Sequence, residues 1–196
     1  MRRGLVVTLV LGVFVAAAGA GVLDSHGAAY NGWTGSTLFV NGNLAGYVDY
    51  AVFTAANFNV NFGGNGYTPT AALVYTYQVF ATGSADITSF SVALANPAQD
   101  QGAFNPPAGD APSSSFLTPP PGEVLWNFTA IDQGESSIGL AFSSNYIPTN
   151  LFGSVVNSGA SAMVAPLPSP SGEEIPEPAT LSLLGIGALA MIRRRK

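Results

Sequence analysis

Between Tyr47 and Phe142 apolar side chains recur at every second position, in one short run after another. That spacing restricts the chain to strands with a buried face. In Tyr47–Phe53, Val48, Tyr50 and Val52 share a side; in Phe58-Asn59-Val60-Asn61-Phe62 apolar residues alternate completely with Asn. Leu73–Thr82 is the longest run. Leu73, Tyr75, Tyr77 and Val79 line one face, and Val74 and Phe80 make the other partly apolar, as in a central strand covered on both sides. Thr88, Phe90, Val92 and Leu94 come next, then Val124, Trp126 and Phe128, then Ile138, Leu140 and Phe142. A weaker last strand falls at Ser154–Val156 or Ala160–Val164. Gly83-Ser84-Ala85-Asp86 reads as a hairpin turn, and Gly63-Gly64-Asn65-Gly66 as a break tolerant of positive φ. No fixed-period repeat, heptad or amphipathic helix interrupts the pattern. The expected fold is all-β, an antiparallel β-sandwich of about seven or eight strands. Its predicted core is Val52, Phe62, Tyr75, Tyr77, Val79, Phe90, Val92, Trp126, Phe128, Leu140 and Phe142, anchored on Trp126.

Charge narrows the function. All six Lys and Arg residues lie in the first three or last four positions, and Cys is absent. Eleven carboxylates less Glu177 leave ten between Gly21 and Ile175, with His26 as the single imidazole. An all-anionic segment cannot neutralise phosphates, so nucleic acid is excluded as a partner. Disulfide stapling and thiol chemistry are excluded too, and stability rests on the core.

Two stretches are rich in proline. Asn105–Gly122 sits between strong strands and reads as a long surface loop. Ala165–Pro178 follows the last strand, and residues 166–178 read as a semi-rigid linker ending in Pro-Glu-Pro.

The two ends carry address signals. Met1-Arg2-Arg3, the apolar Leu5–Val15 and the small-x-small Ala18-Gly19-Ala20 form a signal peptide over residues 1–20, cut by signal peptidase after Ala20. Ala16-Ala17-Ala18 offers a second cleavage position. At the other end stand Ile175, Pro176, Glu177 and Pro178, the apolar run Ala179–Ile192, and Arg193, Arg194, Arg195 and Lys196. The prolines hold the backbone extended before a helix begins. The apolar run reaches about 21 Å at roughly 1.5 Å per residue, short of the roughly 30 Å hydrocarbon core it would cross. Local thinning and the long basic side chains accommodate the difference. Basic residues inside at both ends place residues 21–165, the expected exported domain, outside the inner membrane. Residues 179–196 are the expected membrane helix and basic tail.

This tail resembles the PEP-CTERM sorting signal, with Ile175 where Val is usual. The resemblance implies recognition and cleavage near Pro176-Glu177-Pro178 by a membrane exosortase. It also implies release of Ala179–Lys196 and a role linked to exopolysaccharide, floc or biofilm matrix.

The residues between the signals offer little chemistry. His26 precedes the first strand and is poorly held for catalysis. Glu123, Asp132 and Glu135 are the acids available for glycoside hydrolysis, without a cationic partner or motif. Asp100, with Gln101-Gly102, and Asp132-Gln133-Gly134-Glu135 are weak calcium candidates, since neither has the spacing of a known calcium loop. Tyr30, Trp33 and Tyr67 lie outside the alternating runs and are free to stack on sugar rings. No cofactor is expected. The expected function is a non-catalytic envelope or matrix protein, with a carbohydrate-binding module, then a glycan-active hydrolase, as the alternatives.

Overall fold

The computed structural model describes Leu23 and residues 29–176. The signal-peptide residues Ala18 and Ala20, His26, Glu177, Pro178, the expected membrane helix and Arg193–Lys196 lie outside the described residues. No described helix is long and apolar enough to cross a membrane.

A 3-10 turn, Tyr30–Gly32, opens the domain. Strands β1 (Thr34–Asn41) and β2 (Leu44–Thr54) follow, then helix α1 (Ala55–Phe62). The chain continues through β3 (Leu73–Ala81), β4 (Ile87–Leu94), β5 (Gln99–Phe104), β6 (Ser114–Leu117) and β7 (Gly122–Ile131). It ends with β8 (Gly139–Ser144), β9 (Tyr146–Val156) and β10 (Ser161–Glu174). Among the described residues ten strands, more than the seven or eight expected, form two five-stranded sheets, ordered β1-β2-β3-β8-β5 and β10-β9-β4-β7-β6. Every pairing between named strands is antiparallel.

The sheets meet over one continuous core, and every residue of the predicted core is buried. Trp126 of the second sheet stacks on Phe90 (centroids 5.8 Å apart, planes 12° apart) and faces Tyr77 of the first at 6.2 Å. Its indole N–H donates to Gly102 O at 3.0 Å, so the one polar atom of the largest core side chain is satisfied. Strand β3 is buried on both faces, as its two-sided pattern requires.

Helix α1 corrects the strand expected over Phe58–Phe62. Phe58 and Phe62 are separated by four, a spacing that fits one face of a strand and one face of a helix equally. Local chemistry decides between them. The Thr54 hydroxyl accepts the Asn57 N–H at 3.2 Å as an N-cap, and Gly63 N–H closes the helix on Asn59 O at 3.0 Å. Val60 consequently faces outward and is 84% exposed. Phe58 and Phe62 pack with Phe53, Val74, Phe104, Tyr67 and Leu23 into a second, smaller core on the outer face of the first sheet. Phe62 is thus buried, but apart from the main core.

Three further expectations change. Gly83–Asp86 is no hairpin, because β3 and β4 belong to different sheets. The turn carries the chain across, and a Cβ on Gly83 would lie 2.1 Å from Asn43 O. Residues 105–122 are not all loop, since β6 lies among them and pairs with β7. The proline-rich stretch expected as a linker from residue 166 is strand as far as Glu174. Pro168 and Pro170 stand opposite Asn150 and Pro148; two prolines facing each other fit only a pair without ladder bonds, so neither ring removes one, while Pro166 falls in the register shift between Val164 and Leu167. The carbonyls of all three accept from residues outside β9: Thr37 Oγ1 donates to Pro166 O at 2.8 Å, Tyr77 Oη to Pro168 O at 2.5 Å and Asn96 N–H to Pro170 O at 2.9 Å. The folded domain therefore reaches the Pro-Glu-Pro tripeptide without a spacer.

Candidate functional site

The end of β10 brings the chain to Pro176, the first residue of the tripeptide and the last one described. Glu174 pairs with Tyr146, Ile175 N–H donates to Asn145 O at 2.7 Å, and the half-buried Ile175 side chain packs against the main core. Pro176 itself is exposed. The start of the domain lies nearby. Tyr75 Oη donates to Tyr146 O at 2.7 Å, and Tyr75 is close enough to Tyr30 for their charges to interact. Burial first, and then Tyr30, push the Tyr75 hydroxyl up, so it stays a donor. Residues 29–30 and 174–176 thus leave one end of the molecule.

The three aromatic residues proposed to stack on sugars are not brought together. Tyr30 and Trp33 are half-buried against the main core, whereas Tyr67 is buried in the outer core, edge-on to Phe58 at 5.5 Å. Burial raises the Tyr67 hydroxyl well above its ordinary value; a hydrogen bond with Ser143 offsets part of this, and the charge of Asp100 adds a smaller rise.

Asp100 has local partners. Its φ of +52° places it in the left-handed region, where the carboxylate accepts from Thr70 N–H at 3.1 Å, from the Thr70 hydroxyl, and from Ser143 Oγ at 3.1 Å. It ties β5 to the loop before β3. Asp132 and Glu135 sit in the turn after β7, where Glu135 Oε2 accepts the Asp132 N–H at 3.2 Å. Sequence reasoning missed the third acid there, Asp110, brought in by a bridge to Ser137. Burial, then the charge and a hydrogen bond of Glu135, then the charge of Asp132, raise the Asp110 carboxyl. Nothing in the local sequence marks Asp110, because its neighbours arrive through pairing across the fold. Among the described residues, no group of three or more His, Cys, Asp or Glu is placed to hold a metal ion.

Glu123 lies elsewhere, in an open cleft of about 510 Å³ on the second sheet, beside Thr118, Pro121, Leu151 and Phe152. It stands at the start of β7, while Asp132 follows the end of that strand. At about 3.3 Å per residue the strand holds them roughly 30 Å apart. The two carboxylates of a glycosidase stand within about 5 to 9.5 Å of each other.

Residues 174–196 match a family model described as the PEP-CTERM protein-sorting motif. No curated protein and no solved structure matches the chain. The motif implies an exported protein, processed by an exosortase and sorted to the cell envelope or surface. The match begins at Glu174, the last residue of β10, so motif and fold overlap.

Proposed function

We propose that the chain is a non-catalytic structural module of the cell envelope or extracellular matrix, tied to exopolysaccharide or biofilm after an exosortase removes its tail. In this reading a signal peptidase removes residues 1–20, and the membrane holds the precursor until the second cut. The observation that carries the proposal is the direct junction of a two-sheet domain with the sorting motif, Ile175 being bonded into the fold and Pro176 following it. The described domain supplies rigidity and a uniformly anionic surface. Those properties suit a hydrated scaffold better than a site of chemistry. Deleting the gene in its own host should weaken matrix cohesion, and restoring the chain with Pro176–Pro178 removed should leave uncut protein in the membrane and the matrix still weak. Full matrix strength in the deletion strain would reject the role.

The cleft on the second sheet favours a second reading, a carbohydrate-binding module. Phe152 is 54% exposed beside Glu123, and an aromatic face with one acceptor suits a neutral sugar. Calorimetry of the mature protein with neutral oligosaccharides would register heat that Phe152→Ala abolishes; no heat with any of them would reject this reading.

A further inference from the structure

The overlap between motif and fold has mechanical consequences at the last turn of β10. Between the pairs Pro170–Pro148 and Glu174–Tyr146, β10 advances four residues while β9 advances two, so β10 bulges by two. The bulge is held from the side. Asn96 donates its N–H to Pro170 O at 2.9 Å and its side-chain amide to Gly172 O at 3.0 Å. The hydroxyls of Ser171 and Thr149 are hydrogen-bonded to each other. A Cβ on Gly172 would lie 2.3 Å from Ile147 Cγ1, so this part of β10 lies directly against β9.

We infer that Ser171–Ile175 is a latch on processing: the folded domain holds the residues that lead into Pro176, and the tail is cut only when this segment leaves β9. The inference rests on the reading that an exosortase cuts near Pro176-Glu177-Pro178. A peptidase binds its substrate as an extended backbone in a cleft. The N–H of Ile175 cannot serve the enzyme while it is given to Asn145 O, and β9 with the Asn96 loop occupies the space that the enzyme's walls would take. In the cut itself one peptide bond breaks. Its acyl carbon passes to water or another nucleophile, and the nitrogen of the tail leaves with a proton. Every fastening named above lies on the domain side of that bond, so the segment can reseat after the cut. The cutting rate then follows the fraction of molecules with the segment open.

The test is a pulse-chase of the full chain in cells that contain the exosortase, following precursor and mature forms. Asn96→Ala removes the tether to Gly172 and should speed maturation about fivefold, the effect of one lost hydrogen bond. Inserting Gly-Ser-Gly-Ser-Glu-Ile between Ile175 and Pro176 leaves every contact of the domain in place and gives the motif its own free leader. That variant should mature faster still, at an unchanged melting temperature, and it decides the matter if Asn96→Ala fails to fold. Maturation of the insertion variant at the wild-type rate would overturn the latch while leaving the sorting reading intact. Absence of cleavage in every form, wild type included, would overturn the sorting reading and the latch with it.

Discussion

At the residue scale, Trp126 and Asp110 show the two ways in which a side chain acquires its role. Trp126 announces itself: it alternates with Val124 and Phe128 on β7, all three are buried, and Trp126 is the largest fully buried side chain. Trp126→Ala should cost about 3–5 kcal/mol through lost burial and a residual cavity, measured by denaturant unfolding of the mature domain. Asp110 is silent in the sequence and is defined only when the fold sets it beside Glu135 and Asp132. Its carboxyl is raised in the folded state. Its protonated form is therefore favoured by folding, and the benefit is present below the ordinary carboxylate range and lost as pH rises through the raised value. Asp110→Asn should accordingly raise the melting temperature at pH 7 and leave it nearly unchanged below the carboxylate range. A lower melting temperature at pH 7 would contradict the repulsion described for this turn.

At the scale of elements, the alternating runs were legible wherever one period alone fitted, as in β2, β3, β4 and β7. They misled where two periods fitted, at Phe58–Phe62, because the deciding cap lies outside the run at Thr54. Strand β10 was illegible for a different reason. Proline content marks a spacer unless the prolines fall at unbonded positions of a ladder or in a bulge, and those places exist only once β9 has set the register. The parity of Pro168 and Pro170 makes a direct prediction. Pro168→Ala should cost about 1 kcal/mol, from the buried ring and a looser unfolded chain, since no ladder bond depends on the ring. Ser169→Pro, one step along, should cost about 2–3 kcal/mol, because Ser169 pairs with Thr149 on the bonded side and a buried carbonyl would lose its donor. Equal melting temperatures for the two variants would show that the register of β10 is wrong.

At the scale of the whole molecule, the absence of Lys and Arg from residues 21–175 acts on stability as much as on partner choice. Mutual repulsion should weaken the domain at low salt and ease as salt screens it. Melting temperatures in sodium, magnesium and calcium chloride at matched ionic strength should therefore rise together. A calcium-specific rise that saturates at low concentration would reveal a site at Asp100 or at Asp132–Glu135. Topology was the part least open to sequence: pattern gives each strand its buried face, but which sheet it joins depends on connections such as the crossing at Gly83. The two sheets end in a strand that runs directly into Pro176, so this is an exported domain whose last strand leads into its own sorting signal. Intact mass of the protein recovered from its native envelope tests this most directly. The account predicts a chain that begins near Gly21, keeps β10 through Ile175 and lacks Ala179–Lys196. A mass that retains Met191–Arg193, or one that ends before Leu167, would contradict it.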